Sequence, residues 1–401
     1  MSSLFDRLRR LTTPLPNEAL PQRRSAPIDE LVGGEWIDHA EGRCLRADAR
    51  YALDHRHGDI DLRTALESST VLLRAAELCA TSPEQLLFLD TETTGLGRDV
   101  GTFAFLVGVG SFDGQTFEAR QYFVADPDDE PALLHELERE LARRPTLVTF
   151  NGVGFDWPLL SNRYAYHGQP APALDGHLDL LRWSRALWRY VLPSCALSAL
   201  EREVLGVERT SEDVPGYLIP QLYYDYLRTG YAQPLAGVFY HNLMDVVSMA
   251  CLLARVSMQM ALQPEPAEAP RDLLAIGRLH ERLGRHEEAL EAYAAAGQDD
   301  NTRVAAEGWD RYGLLLKRLG RSDEAAVVWT AHLDGPSPVP IVELAKHLEH
   351  RERDHAGARQ VVLRGLARVQ AGEIAHPWPG ELLADLQHRL ERLERRLGRG
   401  T

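Results

Sequence analysis

The fold is decided by the stretch Leu86-Leu-Phe-Leu-Asp90-Thr-Glu92-Thr-Thr-Gly95. Its first four residues form a short apolar run, which is typical of a buried strand. Asp90 and Glu92 follow two positions apart, and side chains at i and i+2 point to the same face of a strand. We therefore expect both carboxylates on one face at the end of this strand, before a sharp turn that Gly95 permits.

Predicted strands and helices alternate around this stretch. Two runs rich in Val, Phe and Tyr, at 103–110 and 117–124, are separated by Asp113-Gly114, a pair typical of hairpin turns. Leucines at helical spacing follow over Glu130–Arg143, and then a short strand and a helix at 155–167. This order predicts an α/β fold with a mixed central sheet flanked by helices.

Two further acidic motifs occur later in the chain. Asp156 lies in Asn-Gly-Val-Gly-Phe-Asp-Trp-Pro at residues 151–158, where it opens a predicted helix. His241 and Asp245 lie in Tyr-His-Asn-Leu-Met-Asp-Val-Val-Ser at 240–248, four apart, so they share one face of a helix. Apolar neighbours predict that this helix is largely buried, and a carboxylate there needs a cationic or metal partner.

Several carboxylates and a histidine suit one kind of chemistry. Two-metal phosphodiester cleavage needs two divalent ions about 4 Å apart, held by several oxygen ligands. A nearby His can orient or deprotonate the attacking water. The residues alone therefore predict a plausible carboxylate cluster for Mg²⁺ or Mn²⁺.

In this order, the three motifs resemble the exonuclease motifs of the DEDD, or DnaQ-like, superfamily, whose fold is ribonuclease H-like. More closely, DTETTG, NGxxFDxP and YHNxxDVxS are similar to YprB-type ribonuclease H-like proteins, over roughly residues 30–370. The resemblance implies a metal-dependent 3′–5′ exonuclease that hydrolyses phosphodiester bonds of nucleic acid, with two Mg²⁺ or Mn²⁺ ions as cofactors. A single strand or a 3′ end is the implied substrate.

The resemblance also implies roles for individual residues. The metal ligands are Asp90, Glu92, Asp156 and Asp245, with Asp90 bridging both ions and His241 as the general base. The substrate-binding residues are Thr93, Thr94, Gly95 and Leu96, which match the loop that cradles the terminal nucleotide, together with Asn151 and Phe155 of the second motif.

The third motif departs from the family pattern in its spacing. The His-type branch has four residues between His and Asp, and the Tyr-type branch has three between Tyr and Asp. Here three residues separate His241 from Asp245, and four separate Tyr240 from it. We favour His241 as the base because an imidazole titrates near neutral pH and a phenol does not. Tyr240 remains the alternative.

A second candidate surface interleaves cations with aromatic residues. The stretch at 182–190 reads Arg-Trp-Ser-Arg-Ala-Leu-Trp-Arg-Tyr. Arg182 and Arg185 would bind phosphates of a single strand while neighbouring rings stack on bases. An amphipathic helix with core aromatics explains the same pattern equally well. Two weaker clusters, His177 with Asp179 and the His-rich segment 54–59, are interpreted as a strand end and a polar turn.

After residue 270 the pattern changes to helical repeats. Two segments match at an offset of 36 residues, with Gly277 and Gly313 in the small position and Tyr293 and Trp329 in the aromatic one. This resembles tetratricopeptide repeats, followed by a weaker third unit at 341–369 and a capping helix at 381–398. An unrelated all-helical domain is the alternative. Such repeats imply a possible protein partner.

The composition of the chain limits how it can bind nucleic acid and where in the cell we expect it. The chain has 401 residues, a formal net charge of −15 and four scattered cysteines, so nucleic acid must bind through a local basic patch. No signal peptide or membrane span is evident, and we expect a cytoplasmic protein. The predicted domains are a flexible basic arm (1–26), an N-terminal extension with short strands and a helix near 61–79 (27–80), the ribonuclease H-like exonuclease domain (81–260), a linker (261–271) and a tetratricopeptide-like helical domain (272–401).

Two other functions fit the same residues. One is a non-catalytic scaffold that binds a nucleic-acid end while the helical repeats recruit a protein partner. The other is a phosphodiesterase of small nucleotides. No residue in the sequence separates DNA from RNA, because that choice depends on contacts to the 2′-OH.

Overall fold

The computed structural model describes residues 26–80, 82–95, 101–262, 272–374 and 377–398. Nearly all of the predicted arm and linker, and the predicted nucleotide-cradling residue Leu96, lie outside these ranges. The chain forms two compact units that divide between Arg271 and Asp272. The finer domain limits given above stay predictions.

The first unit combines strands and helices. Its strands are β1 Glu35–His39, β2 Gly42–Ala52, β3 Arg56–His57, β4 Ile60–Asp61, β5 Leu86–Thr93, β6 Ala104–Phe112, β7 Thr116–Phe123, β8 Thr146–Thr149 and β9 Gly176–Asp179. Its α-helices are α1 Ile28–Val32, α2 Leu62–Ser68, α3 Thr70–Ala75, α4 Glu130–Arg143, α5 Asp156–Tyr166, α6 Leu180–Trp188, α7 Leu197–Leu200, α8 Ile219–Thr229 and α9 Leu235–Met260.

The central sheet of the described residues has the strand order β1-β2-β7-β6-β5-β8-β9. The pairs from β1 to β5 are antiparallel, and β5, β8 and β9 run parallel to one another. This confirms the predicted mixed sheet. The strands of residues 27–80 extend the sheet beyond β7, while β3 and β4 form a separate small hairpin.

The two faces of β5 explain how the site is positioned. Leu87 and Leu89 point to the face covered by α4 and α5, where they join a cluster of buried side chains. Asp90 and Glu92 have the opposite parity and point to the face on which α9 packs. Because β8 pairs with β5 only as far as Phe88, both carboxylates lie beyond the paired parallel region, at the carboxyl end.

The central helix α9 is long and apolar enough to cross a membrane, judged by length and composition alone. The sequence predicted a largely buried helix around His241 and Asp245, but not its full length from Leu235 to Met260. In the most apolar window of α9, 78% of the helix is buried inside the protein, against the sheet and against α2 and α3. Packing inside the fold therefore accounts for its apolar composition.

One expected helix is divided in the structure. The segment near 61–79 forms α2 and α3 with a break at Ser69, where a single helix was predicted. The Ser69 hydroxyl donates to the carbonyl oxygen of Ala65 at 2.5 Å, and such a bond competes with the helical backbone ladder. The prediction was wrong because this local competition is invisible in the apolar spacing.

The second unit is all-helical, as predicted. Its α-helices are α10 Leu273–Arg282, α11 His286–Ala296, α12 Thr302–Arg318, α13 Ser322–Ala331, α14 Val339–His347, α15 His355–Gln370 and α16 Pro379–Leu397. Each helix packs against the next in the chain. The last helix, α16, buries Leu382, Leu386 and Leu393 along one face.

Equivalent positions of the two matched segments make equivalent contacts. A methyl group on Gly277 would lie 2.4 Å from the Tyr293 ring, and one on Gly313 would lie 2.4 Å from the Trp329 ring. Only glycine lets an aromatic side chain of the second helix approach the first so closely. The tetratricopeptide assignment itself stays a prediction.

Candidate active site

Three elements bring the four predicted acidic ligands into one region. Asp90 and Glu92 come from β5, Asp156 is the first residue of α5, and Asp245 lies on α9. The charges of Asp245 and Asp156 both act on Asp90 and on Glu92, so the four carboxylates are close neighbours. The site therefore lies at the carboxyl ends of the parallel strands, where open α/β sheets commonly bind ligands.

Asp156 is buried and accepts a hydrogen bond from a residue of β5. The hydroxyl of Thr91, between the two β5 carboxylates, donates to Asp156 Oδ1 at 2.5 Å. The loop before α5 is fixed by Asp179, whose Oδ1 accepts from the backbone N–H of Asn151 at 2.9 Å. Asn151 adopts φ 68°, a left-handed conformation that Asn tolerates better than most residues.

A buried amide on α9 holds the first ligand. Asn242 is fully buried, and its Nδ2 donates to Asp90 Oδ2 at 2.8 Å. Gln121 orients this amide by donating to Asn242 Oδ1 at 2.9 Å. Gly108, which pairs with Asp90 across β5 and β6, makes room, because a Cβ there would lie 2.1 Å from Asn242 Oδ1.

Asp245 has a cationic partner that sequence patterns did not indicate. The guanidinium of Arg209, in the loop before α8, donates from Nη2 to Asp245 Oδ1. Arg209 also grips Glu201 through two bonds, Nε to Oε2 at 2.8 Å and Nη2 to Oε1 at 2.7 Å. The side chain of Arg209 is only 12% exposed, so these pairs are shielded from solvent.

A chain of polar contacts leads from this arginine to the N-terminal hairpin. Glu201 Oε1 accepts from the Ser248 hydroxyl at 2.5 Å, and Ser248 Oγ contacts His57 Nε2 at 2.7 Å. Burial lowers the pKa of His57 to about 4, assisted by the charges of His55 and Arg209. His57 is therefore a neutral, buried histidine, next to the turn at Gly58 and Asp59 in the segment for which the sequence favoured a polar turn.

All four carboxylates of the site have raised pKa values. Burial raises the pKa of Asp90 well above its ordinary value, and the charges of Asp245 and Asp156 raise it further. The same causes, with Asp90 added, raise the pKa of Glu92. Burial raises the pKa of Asp156 to about 6, although Thr91 opposes the shift, and burial also raises that of Asp245 against Arg209 and His241.

The four carboxylates are the kind of ligand that divalent metal ions prefer. Their positions in the structure suit a metal ion less well. Hard cations prefer carboxylate oxygens, and a dication would relieve the repulsion that raises these pKa values. Within the described residues, however, no three His, Cys, Asp or Glu side chains stand in positions that hold a metal ion. Asp90, Asp156 and Asp245 are each bonded to a different protein group: Asn242, Thr91 and Arg209.

Comparisons with known proteins agree with this geometry. A family model described as RNase_H superfamily matches residues 87–257, which include all three motifs. A protein named "Uncharacterized protein YprB", from Bacillus subtilis (strain 168), is 30% identical over 339 residues, covering 81% of this chain and 80% of the relative. The chain is a YprB-type member of the RNase_H superfamily.

Membership in the RNase_H superfamily has coarse functional consequences. It indicates a nuclease, and therefore a hydrolase that binds nucleic acid. Nucleases with this fold generally use divalent metal ions, in keeping with the four carboxylates of the site. The resemblance stated from the motifs is thereby confirmed at the level of the YprB-type RNase H-like group.

The third motif of this RNase_H superfamily chain places His241 nearer the carboxylates than Tyr240. His241 Nε2 lies 3.8 Å from Asp245 Oδ2. The Tyr240 hydroxyl points elsewhere and accepts from the backbone N–H of Thr210 at 3.2 Å. His241 Nδ1 lies 2.8 Å from Asp213 Oδ1 and 3.1 Å from Arg209 Nη1. Nδ1 can donate to Asp213 or accept from Arg209, but it cannot do both at once.

The predicted substrate loop begins at the end of β5. The Thr93 hydroxyl donates to the Gly95 carbonyl oxygen at 2.8 Å, and Thr94 Oγ1 accepts from the Phe103 N–H at 3.2 Å. Both threonines are buried, so they shape the loop more than they line its surface. A Cβ on Gly95 would meet open space, and Phe155 is half-buried at the start of α5.

The basic segment at 182–190 forms the amphipathic helix with core aromatics that was one of its two alternatives, and its role in binding a single strand stays a prediction. In α6, Leu187 and Trp188 are buried core residues. Arg182, Arg185 and Arg189 are exposed, and Tyr190 is 70% exposed with the Arg189 guanidinium 4.8 Å from its ring. The segment is an amphipathic helix whose outer face carries the cations.

Sequence reasoning missed several site residues. They are Thr91, Asn242, Gln121, Arg209, Asp213, Glu201 and Ser248. Asn242 had a usable signal, because it lies three residues before Asp245 and so shares its helix face. Arg209 had none, since it stands alone in an irregular loop.

Proposed function

We propose that this protein is a DEDD-type metal-dependent 3′–5′ exonuclease that hydrolyses phosphodiester bonds of nucleic acid. The observation that carries the proposal is the convergence of four carboxylates from three separated motifs, whose pKa values are raised chiefly by burial and, for Asp90 and Glu92, also by their acidic neighbours. Clustered, desolvated acids of this kind are a mark of functional sites. The 3′–5′ polarity rests on the motif resemblance.

In this proposal Asp90, Glu92, Asp156 and Asp245 hold two Mg²⁺ or Mn²⁺ ions. Bound ions of this kind activate a water molecule and stabilise the charge that develops on the phosphate. Asn242 on α9 orients the Asp90 carboxylate through a hydrogen bond. Thr91 on β5 orients the Asp156 carboxylate in the same way.

His241 is the proposed general base. When its Nδ1 donates to Asp213, Nε2 has a free lone pair that can accept a proton from the attacking water. The side chain of His241 is 19% exposed, so a ligand or water can reach its ring. Asp213 thus fixes the tautomer that the reaction needs.

A single strand ending near the β5 loop is the proposed substrate. Thr93, Thr94, Gly95, Leu96, Asn151 and Phe155 would surround the terminal nucleotide, and Arg182 and Arg185 would bind phosphates. Tyr217, one residue beyond Gly216, is 82% exposed and offers a ring on which a base can stack. We further propose a cytoplasmic location, and a protein partner for the tetratricopeptide-like helices.

A cleavage time course tests the proposal. Single-stranded RNA and DNA of one sequence, labelled at the 5′ end, are incubated with Mg²⁺, Mn²⁺ or EDTA. We expect a metal-dependent ladder that shortens from the 3′ end, and its absence in the variant Asp90→Asn. The loss should be about a thousandfold or more, because Asp90 would contact both ions.

The controls separate the rival functions. Binding of the strand without cleavage in either metal would contradict the exonuclease and favour an end-binding scaffold. Cleavage of dinucleotides but not of long strands would move the assignment to a small-nucleotide phosphodiesterase. Equal cleavage rates for the wild type and Asp90→Asn would show that Asp90 is not needed for cleavage.

A further inference from the structure

The guanidinium of Arg209 lies among three carboxylates and the proposed base. Its partners are Glu201 at 2.7 and 2.8 Å, Asp213 at 3.5 Å and His241 Nδ1 at 3.1 Å, in addition to the close contact with Asp245. Arg209 and Asp245 are 12% and 15% exposed, so solvent screens this pair only weakly. The site thus contains a fixed cation of its own.

This cation occupies one oxygen, Oδ1, of a carboxylate that a metal ion would need. A guanidinium held against a carboxylate opposes the binding of a dication to the same carboxylate, because the two positive charges repel one another where solvent screens them weakly. Asp90 and Asp156 are bonded to neutral groups instead, Asn242 and Thr91, which release an oxygen at smaller cost.

We propose that Arg209 is a latch on the site: it holds Asp245 in the resting protein and must release this carboxylate when the second metal ion binds. The inference rests on the proposed metal-dependent function and deepens it. Asp90, Glu92 and Asp156 would hold one ion without hindrance from Arg209, and an ion that also needs Asp245 would bind more weakly because it competes with Arg209. Arg209 is a positioning residue, since it acts through Asp245 and His241.

Glu201 is the partner that Arg209 keeps when it releases Asp245. It has 2% side-chain exposure and grips Arg209 with both carboxylate oxygens, while Ser248 holds it from α9. An arginine released from Asp245 therefore keeps a buried partner and does not lose its charge compensation. Release also frees His241 Nδ1 from Arg209 and leaves it to Asp213, the arrangement in which Nε2 can accept a proton.

Binding of Mn²⁺ alone, measured by isothermal titration calorimetry on the full chain, tests the latch. Arg209→Lys keeps the charge, but a lysine cannot bridge Glu201 and Asp245 with one planar fork. We expect the dissociation constant of the weaker ion to fall about tenfold in Arg209→Lys and at least as much in Arg209→Gln. Glu201→Gln should raise it several-fold, because Arg209 then relies more on Asp245.

Arg202→Gln is the matched control. Arg202 is next to Glu201 in sequence, pairs with Glu203 and is 61% exposed, so its loss removes the same charge without touching Asp245. We expect Arg202→Gln to bind Mn²⁺ as the wild type does. An effect equal to that of Arg209→Gln would show that net charge alone governs binding and would overturn the latch.

Other outcomes are equally decisive. Unchanged or weaker Mn²⁺ binding in both Arg209 variants would overturn the latch, while the proposed nuclease would stand as long as Asp90→Asn lowers Mn²⁺ binding. A wild type that binds no Mn²⁺ would contradict the proposed function itself. Thermal melting in EDTA shows whether each variant folds. If Arg209→Gln does not fold, Mn²⁺ binding by Arg209→Lys and by Glu201→Gln tests the latch.

Discussion

Buried acidic side chains have opposite surroundings in the two units of the molecule. In the helical unit, Glu349 has no exposed surface and is bonded to Arg389, Arg392 and Arg396. Burial alone would raise the pKa of Glu349, but these arginines hold it below its ordinary value. In the first unit, burial and like charges raise the pKa values of Asp90 and Glu92.

The difference separates structural acids from functional ones. An acid whose charge is fully compensated by its own chain stabilises the fold and has no need of a ligand. Acids whose charges repel one another cost folding free energy and persist where an external cation is to be bound. The predictions below test this contrast.

The largest expected effect on stability comes from Glu349→Gln. Three arginines would lose their shared carboxylate, and removing one partner of a buried ion pair costs about 3 to 5 kcal/mol. Asp90→Asn should not lower the free energy of unfolding in EDTA, since it removes a repelling charge while an amide oxygen still accepts from Asn242. Denaturant unfolding of both variants measures this. Equal destabilisation would contradict the contrast.

The pH dependence of stability in EDTA should report Asp156. Its pKa is about 6 in the folded protein against 3.8 for the ordinary group, so the folded state binds more protons between these values. The free energy of unfolding therefore falls as pH rises from about 4 to above 6, by roughly 3 kcal/mol from this group. Asp156→Asn should reduce the fall by about this amount, because it keeps an acceptor for Thr91 and does not ionise. The raised pKa values of Asp90, Glu92 and Asp245 act in the same direction and leave the remainder of the fall.

The control for this prediction is Mn²⁺. Above pH 6 the deprotonated carboxylates would bind the ion, and the melting temperature of the wild type should rise more than that of Asp156→Asn. A wild-type profile whose stability increases over the same range in EDTA, with Asp156→Asn parallel to it, would show that Asp156 is not desolvated.

Asn242→Ala should weaken the site without removing a ligand. Residues that orient a metal-binding carboxylate typically contribute about 10- to 100-fold to affinity or activity. We expect a loss of that size in Mn²⁺ affinity and in cleavage, measured by calorimetry and by the gel assay. Gln121→Ala should give a smaller loss in the same direction. Wild-type affinity in Asn242→Ala would mean that Asp90 needs no orienting partner.

The smallest effect is expected for an exposed ion pair of the helical unit. Arg321 contacts Glu287 and Glu324, which are 73% and 57% exposed. Solvent screens such pairs, so Arg321→Ala should leave the melting temperature unchanged within error. A fall comparable to that of Glu349→Gln would show that the number of ion pairs matters more than their burial.

The sequence predicted those parts of the fold and site that follow local periodicity. The i, i+2 spacing of Asp90 and Glu92 and the leucine spacing of Glu130–Arg143 were sufficient to locate β5 and α4. The aromatic-to-glycine contacts of the helical unit also follow a fixed offset. These features depend on neighbours within one turn, one strand or one repeat.

The remaining site contacts join residues far apart in sequence. Arg209 and Asp245 are separated by 36 residues, Glu201 and Ser248 by 47, and His57 and Ser248 by 191. No periodicity relates such pairs, because their meeting depends on how loops and strands are placed by the whole fold. The same holds for the contact between Gln121 and Asn242. The sequence alone predicted no role for either residue.

The close approach of Asn242 to Gly108 has a consequence for how such a protein can evolve. A methyl group at position 108 would overlap Asn242 Oδ1, whereas a shorter residue at 242 would leave room for it. Substitutions at these two positions are therefore accepted in only one order, with 242 changing first. A change at 242 removes the hydrogen bond to Asp90, so a residue larger than glycine at 108 would indicate that this hold on Asp90 has been lost.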